Sequence, residues 1–177
     1  MQMRKIIVIV IALGLFSCSL KVIPHKGVYP EPPLVYTTDK TFDQVWDNVI
    51  DFFAQQGIPI SLIDRSSGLI ISTKTKMIWS MEDRKTNKLK NEGAWVVIDN
   101  LYNPGPRKYI RPANVYGVWN IRVKEAGGEA SINVNVNNLS ATQNEYTRSG
   151  TPFEVASAYF NPKTTGNFEK LIYDIIK

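Results

Sequence analysis

Hydrophobic side chains between residues 41 and 56 recur at the spacing of an amphipathic helix, with polar residues filling the opposite face. The apolar stripe consists of Phe42, Val45, Trp46, Val49, Ile50 and Phe53. Thr41 and Gln44 have the spacing of a capping box, and Gly57 supplies a C-terminal stop. The pattern therefore predicts a helix over 41–56.

After this helix, apolar and polar residues alternate in runs that are typical of β-strands. The predicted strands are 58–64, 69–79, 93–101, 115–124 and 130–139. Gly68 favours a tight turn in the first hairpin, and Gly127 with Gly128 supplies the turn of the last one. In the last hairpin, Trp119, Ile121, Val123, Ile132, Val134 and Val136 share one face, whereas Asn133, Asn135 and Asn137 share the other. This alternation predicts a sheet with one buried face and one wet face.

The rest of the chain completes a two-layer arrangement. Charge and proline predict loops over 80–92 and 102–114, and 151–160 is predicted as a short helix. The spacing predicts a final helix that begins near Thr165 and buries Phe168, Leu171, Ile172, Ile175 and Ile176. The predicted fold class is α+β: an antiparallel sheet of about five strands, covered on one face by an N-terminal and a C-terminal helix.

The N-terminus has the order of a secretory signal. Arg4 and Lys5 precede the apolar run 6–16, which is shorter than the roughly 20 residues of a membrane-spanning helix. We therefore predict a signal peptide over 1–17, a proline-rich tether over 18–36 and a single domain over 37–177. His25 lies in the predicted tether, where we expect a solvated side chain.

The run Leu15-Phe16-Ser17-Cys18 resembles the lipobox of bacterial lipoproteins. The resemblance implies diacylglycerol on the Cys18 thiol, cleavage before it and acylation of the new amino group. Lipidation accounts for a lone cysteine in an exported chain, the alternative being a buried free thiol. Ser19 in place of Asp implies, by resemblance to the enterobacterial sorting rule, a lipid-anchored protein at the outer membrane, facing the periplasm.

Four short segments resemble the repeated helix-grip domain of the BamC lipoproteins, which belong to the machine that inserts β-barrels into the outer membrane. The segments are 41–46, 57–58, 64–70 and 164–169. The resemblance implies a fold and a cellular compartment. BamC proteins carry two such domains and a longer N-terminal segment, so it leaves the partner open.

The sparse cysteine and histidine content excludes several chemistries. One Cys excludes an intramolecular disulfide and a cysteine-based zinc site. With His25 in the tether, the predicted domain has no histidine to activate a nucleophile. The candidate carboxylates Asp64, Asp99, Glu145 and Glu154 show no spacing that brings two together. We therefore expect no enzyme activity, metal or cofactor. A net charge of only +5 and the predicted export argue against nucleic-acid binding.

Two residue sets are candidate binding surfaces. Trp46, Trp79, Trp95 and Trp119 either line a groove for an apolar ligand or fill the core. The second set is basic and comes from the two predicted loops: Arg107, Lys108, Tyr109 and Arg111, joined by Arg84, Lys85, Lys88 and Lys90. These side chains either contact anionic headgroups or an acidic partner, or they lie in ordinary solvated loops. The expected function is a non-catalytic, lipid-anchored envelope protein that binds another envelope protein as an accessory or scaffold. The alternative is a carrier or sensor for a lipid or other apolar ligand.

Overall fold

The computed structural model describes residues 20–104, 108–146 and 149–177. The predicted signal peptide over 1–17 and Cys18 lie outside the described residues. The helices are α1 (Phe42–Gln55) and α2 (Asn167–Ile176). The strands are β1 (Lys21–Ile23), β2 (Leu34–Thr38), β3 (Ile60–Asp64), β4 (Leu69–Ser72), β5 (Thr75–Lys76), β6 (Trp79–Ser80), β7 (Val96–Val97), β8 (Asn100–Asn103), β9 (Lys108–Ile110), β10 (Asn114–Ala126), β11 (Glu129–Tyr146), β12 (Pro152–Ser157) and β13 (Lys163–Thr164).

The predicted α+β sandwich with about five strands is wrong, because the described chain is mostly β and forms sheets of seven, three and three strands. The long hairpin of β10 and β11 organises the largest sheet. β11 is long enough to pair with two strands end to end, β2 at residues 130–134 and β12 at 141–146. On the other side, β10 pairs with β4 and β5, and β3 forms the edge beyond β4.

Predicted boundaries failed in four segments. Residues 151–160, predicted as a helix, contain β12, whose backbone groups pair with the far half of β11. The predicted strand 69–79 is split into β4 and β5, which both pair with β10, and β6, which pairs with β7 in another sheet. The predicted strand 93–101 is divided between β7 and β8, which lie in different sheets. The predicted loop 102–114 contains β9, which pairs with β8 despite the prolines around it. Each error concerns which strands pair, and the hydrophobic pattern within one segment does not record pairing.

The helix over 41–56 is confirmed, with Thr41 as N-cap and Gln44 completing the capping box. In α2, Phe168, Ile172 and Ile176 are buried as expected, but Leu171 is exposed. The two helices contact each other and the β10–β11 hairpin. No described helix is both long and apolar enough to span a membrane.

The alternation predicted for the last hairpin is confirmed. Trp119, Ile121 and Val123 are buried, and so are their cross-strand partners Val136, Val134 and Ile132. Phe168 of α2 stacks on Trp119 with ring centroids 3.6 Å apart. The apolar face of the sheet and the two helices therefore form one continuous core.

Residues 21–30, which we call the N-terminal strap, contact the rest of the fold, whereas the sequence predicts an extended tether there. β1 pairs with β8, and β2 continues into the main sheet. Pro30 packs against Gly166, which precedes α2 with φ 85°. A Cβ at Gly166 would lie 2.9 Å from the Pro30 ring, so both the backbone angle and the strap favour glycine.

Candidate functional site

The strap is held by the buried carboxylate of Glu82. Glu82 and Leu89 form an isolated antiparallel β-bridge, and the residues between them make a turn. The Glu82 oxygens accept hydrogen bonds from the backbone N–H groups of Lys26 and Gly27 and from the Tyr29 hydroxyl, each at 2.7 Å. One side chain therefore accepts three hydrogen bonds from the strap.

The pKa of Glu82 reflects this arrangement. Burial acts to raise it, but the hydrogen bonds from Lys26, Tyr29 and Gly27 together outweigh burial and hold the pKa below its ordinary value. The same contact raises the pKa of Tyr29, through burial first and then through its hydrogen bond to Glu82 and the charge of that carboxylate. The geometry thus favours an ionised Glu82 and a protonated Tyr29.

His25 is the second attachment of the strap, and the prediction of a solvated His25 is wrong. Its backbone N–H donates to Asp99 Oδ1 at 3.1 Å, and its Nδ1 lies 2.8 Å from the same oxygen. Both side chains are at most 10% exposed. The His25 ring also makes an edge contact with the ring of Tyr29. Asp99, considered above as a candidate acid or base, therefore anchors the strap.

A basic cleft adjoins the strap. Its walls come from the 81–91 turn and from β8 and β9, and it encloses about 200 Å³. The residues lining it include Arg84, Lys85, Lys90, Tyr109 and Arg111. The neighbouring depression on the strap side shares Arg84 and Asn100 with it and reaches Ile23 and Lys26. The two loops that the sequence predicts as one basic cluster do meet here.

The cleft is organised by contacts between its own residues. Arg84 Nη1 donates to the Tyr109 hydroxyl, and its guanidinium lies 5.7 Å from the centre of that ring. Asp83 Oδ1 accepts from the backbone N–H groups of Lys85 and Thr86 and so shapes the turn. These backbone bonds lower the pKa of Asp83. Lys108 is exposed on β9, and Arg107 lies outside the described residues.

The tryptophan set does not form an open groove between helices and sheet. Trp46, Trp95 and Trp119 are each less than a tenth exposed. Trp95 makes edge contacts with Trp119 and with Phe168. Trp79 alone is partly exposed and lines a depression beside Lys90 and Arg111. The geometry of the three buried rings therefore favours the core interpretation over a ligand groove.

Of the carboxylates considered for catalysis, Asp64, Asp99 and Glu154 are each engaged by different hydrogen-bond donors. Asp64 accepts from the Ser66 and Ser67 hydroxyls, and those bonds lower its pKa. Glu154 accepts from Thr142 and Asn114 on the neighbouring strands. Among the described residues, no three histidine, cysteine, aspartate or glutamate side chains gather as metal ligands. The basic cleft presents guanidinium, ammonium and phenol groups, which are donors that suit anionic oxygens.

Glu82 is the residue that sequence reasoning missed. It lies in a stretch rich in charge, where a solvated side chain is the ordinary expectation. The strap donors that engage it come from positions 53 to 56 residues earlier in the chain. No family model matches this chain, and no curated protein matches it.

Proposed function

We propose that this chain is a non-catalytic, lipid-anchored protein of the bacterial cell envelope, placed at the outer membrane and facing the periplasm. In this proposal its domain binds another envelope protein as an accessory or scaffold. The signal-like N-terminus, the lipobox-like run before Cys18 and the resemblance to BamC lipoproteins support the compartment. The observation that carries the binding role is the free edge of β3.

Among the strands that the structure describes, β3 has a neighbour on one side only. It pairs with β4 and ends the seven-stranded sheet. Ile63 is 53% exposed, although Ile70, opposite it on β4, is 0% exposed. Leu62, which points to the other face, is 45% exposed. A further strand beside β3 would cover both side chains and pair its free backbone groups.

An extended segment of a partner protein fits this edge. Strand addition draws its affinity from main-chain hydrogen bonds and its specificity from alternate side chains. Leu62 and Ile63 offer an aliphatic contact on each face of such a segment. We therefore expect the partner to contribute an extended segment with an aliphatic residue on at least one face.

Site-specific crosslinking in the chain's own host tests this proposal. A photoreactive residue at position 62 or 63 should give a discrete crosslinked protein, whereas one at Leu171 on α2 should not. Leu171 is a matched control, because it is also an exposed leucine but lies outside any strand. Combining Leu62→Lys with Ile63→Lys should abolish co-purification of the crosslinked protein, and Leu171→Lys should retain it.

Equal crosslinking from all three positions would argue against the β3 edge. Mass spectrometry of the same purified chain tests the anchor, because acylation adds mass at Cys18 that a Cys18→Ser variant lacks. An unmodified Cys18 would contradict the lipid-anchored part of the proposal.

A further inference from the structure

The structure leaves very little chain between Cys18 and the folded domain. Lys21 is the first residue of β1 and pairs with Tyr102 on β8. Even fully extended, the three residue steps from Cys18 to Lys21 span at most about 11 Å. If Cys18 is acylated, as the proposed function holds, β1 therefore lies close to the bilayer surface. That distance is comparable with the screening length of about 8 Å at physiological ionic strength.

The face of the small sheet beside β1 carries the residues that suit such a position. Lys21 lies opposite Tyr102, and Tyr102 lies opposite Tyr109, so the three side chains share one face. The Tyr102 and Tyr109 rings are 5.2 Å apart. Lysine, arginine and tyrosine are the residues that stabilise contact with membrane interfaces. We call this face and the cleft beside it the basic surface: Lys21, Arg84, Lys85, Lys90, Tyr109 and Arg111.

The charge of the basic surface is available to a partner. The side chains of Lys85, Lys90 and Arg111 are exposed and make no hydrogen bond or ion pair within the described residues. Asp83 is the one acidic residue among those that line the cleft there; backbone N–H groups engage its carboxylate, which also attracts the charge of Lys90. Lipid phosphates carry the complementary charge and reach an open cleft of this size.

We propose that the basic surface docks on anionic lipid headgroups, so that the domain lies against the bilayer beside its anchor. The strap connects the anchor to the basic surface, because hydrogen bonds to Glu82 and Asp99 hold residues 25–29 against the same part of the fold as the cleft. The β3 edge then remains available for the partner proposed above. The inference rests on the proposed acylation for its geometry, but the affinity of the surface is testable without it.

The first experiment uses the chain from residue 18 onward with Cys18→Ser, so that no acyl group contributes. Its sedimentation with phosphatidylcholine vesicles is compared with sedimentation with mixed phosphatidylcholine and phosphatidylglycerol vesicles. We expect binding only to the anionic vesicles, with an affinity that falls as salt is added. Combining Lys85→Glu, Lys90→Glu and Arg111→Glu should lower that affinity at least on the order of tenfold.

A matched variant separates local from overall charge. Lys74→Glu, Lys76→Glu and Lys124→Glu change the net charge equally at exposed positions outside the basic surface. This variant should retain most of the affinity for anionic vesicles. Equal loss in both variants, or equal binding of the parent chain to both kinds of vesicle, would overturn the proposal.

The second experiment uses the acylated chain in the same mixed vesicles. A fluorophore on Thr86→Cys, in the 81–91 turn, should be quenched by a quencher attached to lipid headgroups. The same fluorophore on Gln55→Cys, at the end of α1, should be quenched much less. Equal quenching would overturn the orientation. If Cys18 proves unacylated while the first experiment succeeds, the anchor of the proposed function fails and the lipid-binding surface stands.

Discussion

Glu82 and Glu169 are two buried glutamates in opposite situations. Both side chains are nearly inaccessible to solvent, but Glu82 lines a surface depression, whereas Glu169 lies deeper in the fold. Glu82 accepts three hydrogen bonds from the strap, whereas Glu169 Oε1 accepts one from the Thr164 hydroxyl at 2.7 Å. Glu169 Oε2 has no hydrogen-bond partner within the described residues.

The two pKa values consequently move in opposite directions. Burial raises the pKa of Glu169, and the hydrogen bonds from Thr164 and from its own backbone N–H do not offset it. For Glu82 the strap donors outweigh burial and lower the pKa. The depth of a carboxylate and the number of donors aimed at it together decide whether its charge stabilises the fold.

The largest effect is expected from Glu82→Gln. The substitution removes a charge that three buried donors face, so the free energy of unfolding should fall by about 3 kcal/mol. Urea denaturation at neutral pH measures this change. Glu125→Gln, at an exposed position near the β10–β11 turn, should leave stability unchanged. A loss no larger than that of the control would mean that the strap contributes little.

A smaller effect is expected from Tyr29→Phe, which removes one of the three donors and should cost about 1.5 kcal/mol. The lowered pKa of Glu82 means that its contribution is present above the ordinary glutamate pKa and is lost as pH falls through the folded-state value. Without the Tyr29 hydroxyl, the folded-state pKa of Glu82 should lie closer to the ordinary value, so the loss should be smaller and complete at a higher pH. Stability measured against pH detects the shift, and Tyr159→Phe at an exposed position serves as the control.

The smallest effect, with the opposite sign, is expected from Glu169→Gln. Because the folded-state pKa of Glu169 is raised, the unfolded chain releases its proton first, and stability falls as pH rises between the two values. An amide does not titrate, so the variant should be about 1 kcal/mol more stable than the parent at neutral pH. The gain should disappear below the ordinary glutamate pKa. A gain that is the same at every pH would contradict the assignment.

Sequence reasoning succeeded where the information is local. The capping box of Thr41 and Gln44 identified the start of α1, since both residues act on the same helical turn. The alternation around Trp119 identified the buried face of β10, because adjacent side chains in a strand point to opposite faces. The far half of β11 escaped recognition, as its residues from Ser140 onward offer few apolar side chains to mark an inner face.

For the candidate site, the composition of the loops identified the basic residues but not the cleft that they line. Arg84, Lys85, Lys90 and Arg111 were grouped from two charged loops, and the structure places them on one cleft. The role of Trp95 was left open between core and groove, because burial depends on which segments cover the ring. The exposure of Ile63 was equally unpredictable, since it depends on β3 having no second neighbour among the described strands.

Local patterns in the sequence are enough to predict the two helices, the central hairpin and which of its faces is buried, because these depend on side chains within a few residues of one another. The position of the strap, the carboxylate that holds it and the strand left as an edge depend instead on the tertiary structure. Glu82 meets its donors across more than 50 residues, and two of them are backbone N–H groups. Since almost every residue carries the same N–H, no letter of the sequence marks the ones that reach Glu82.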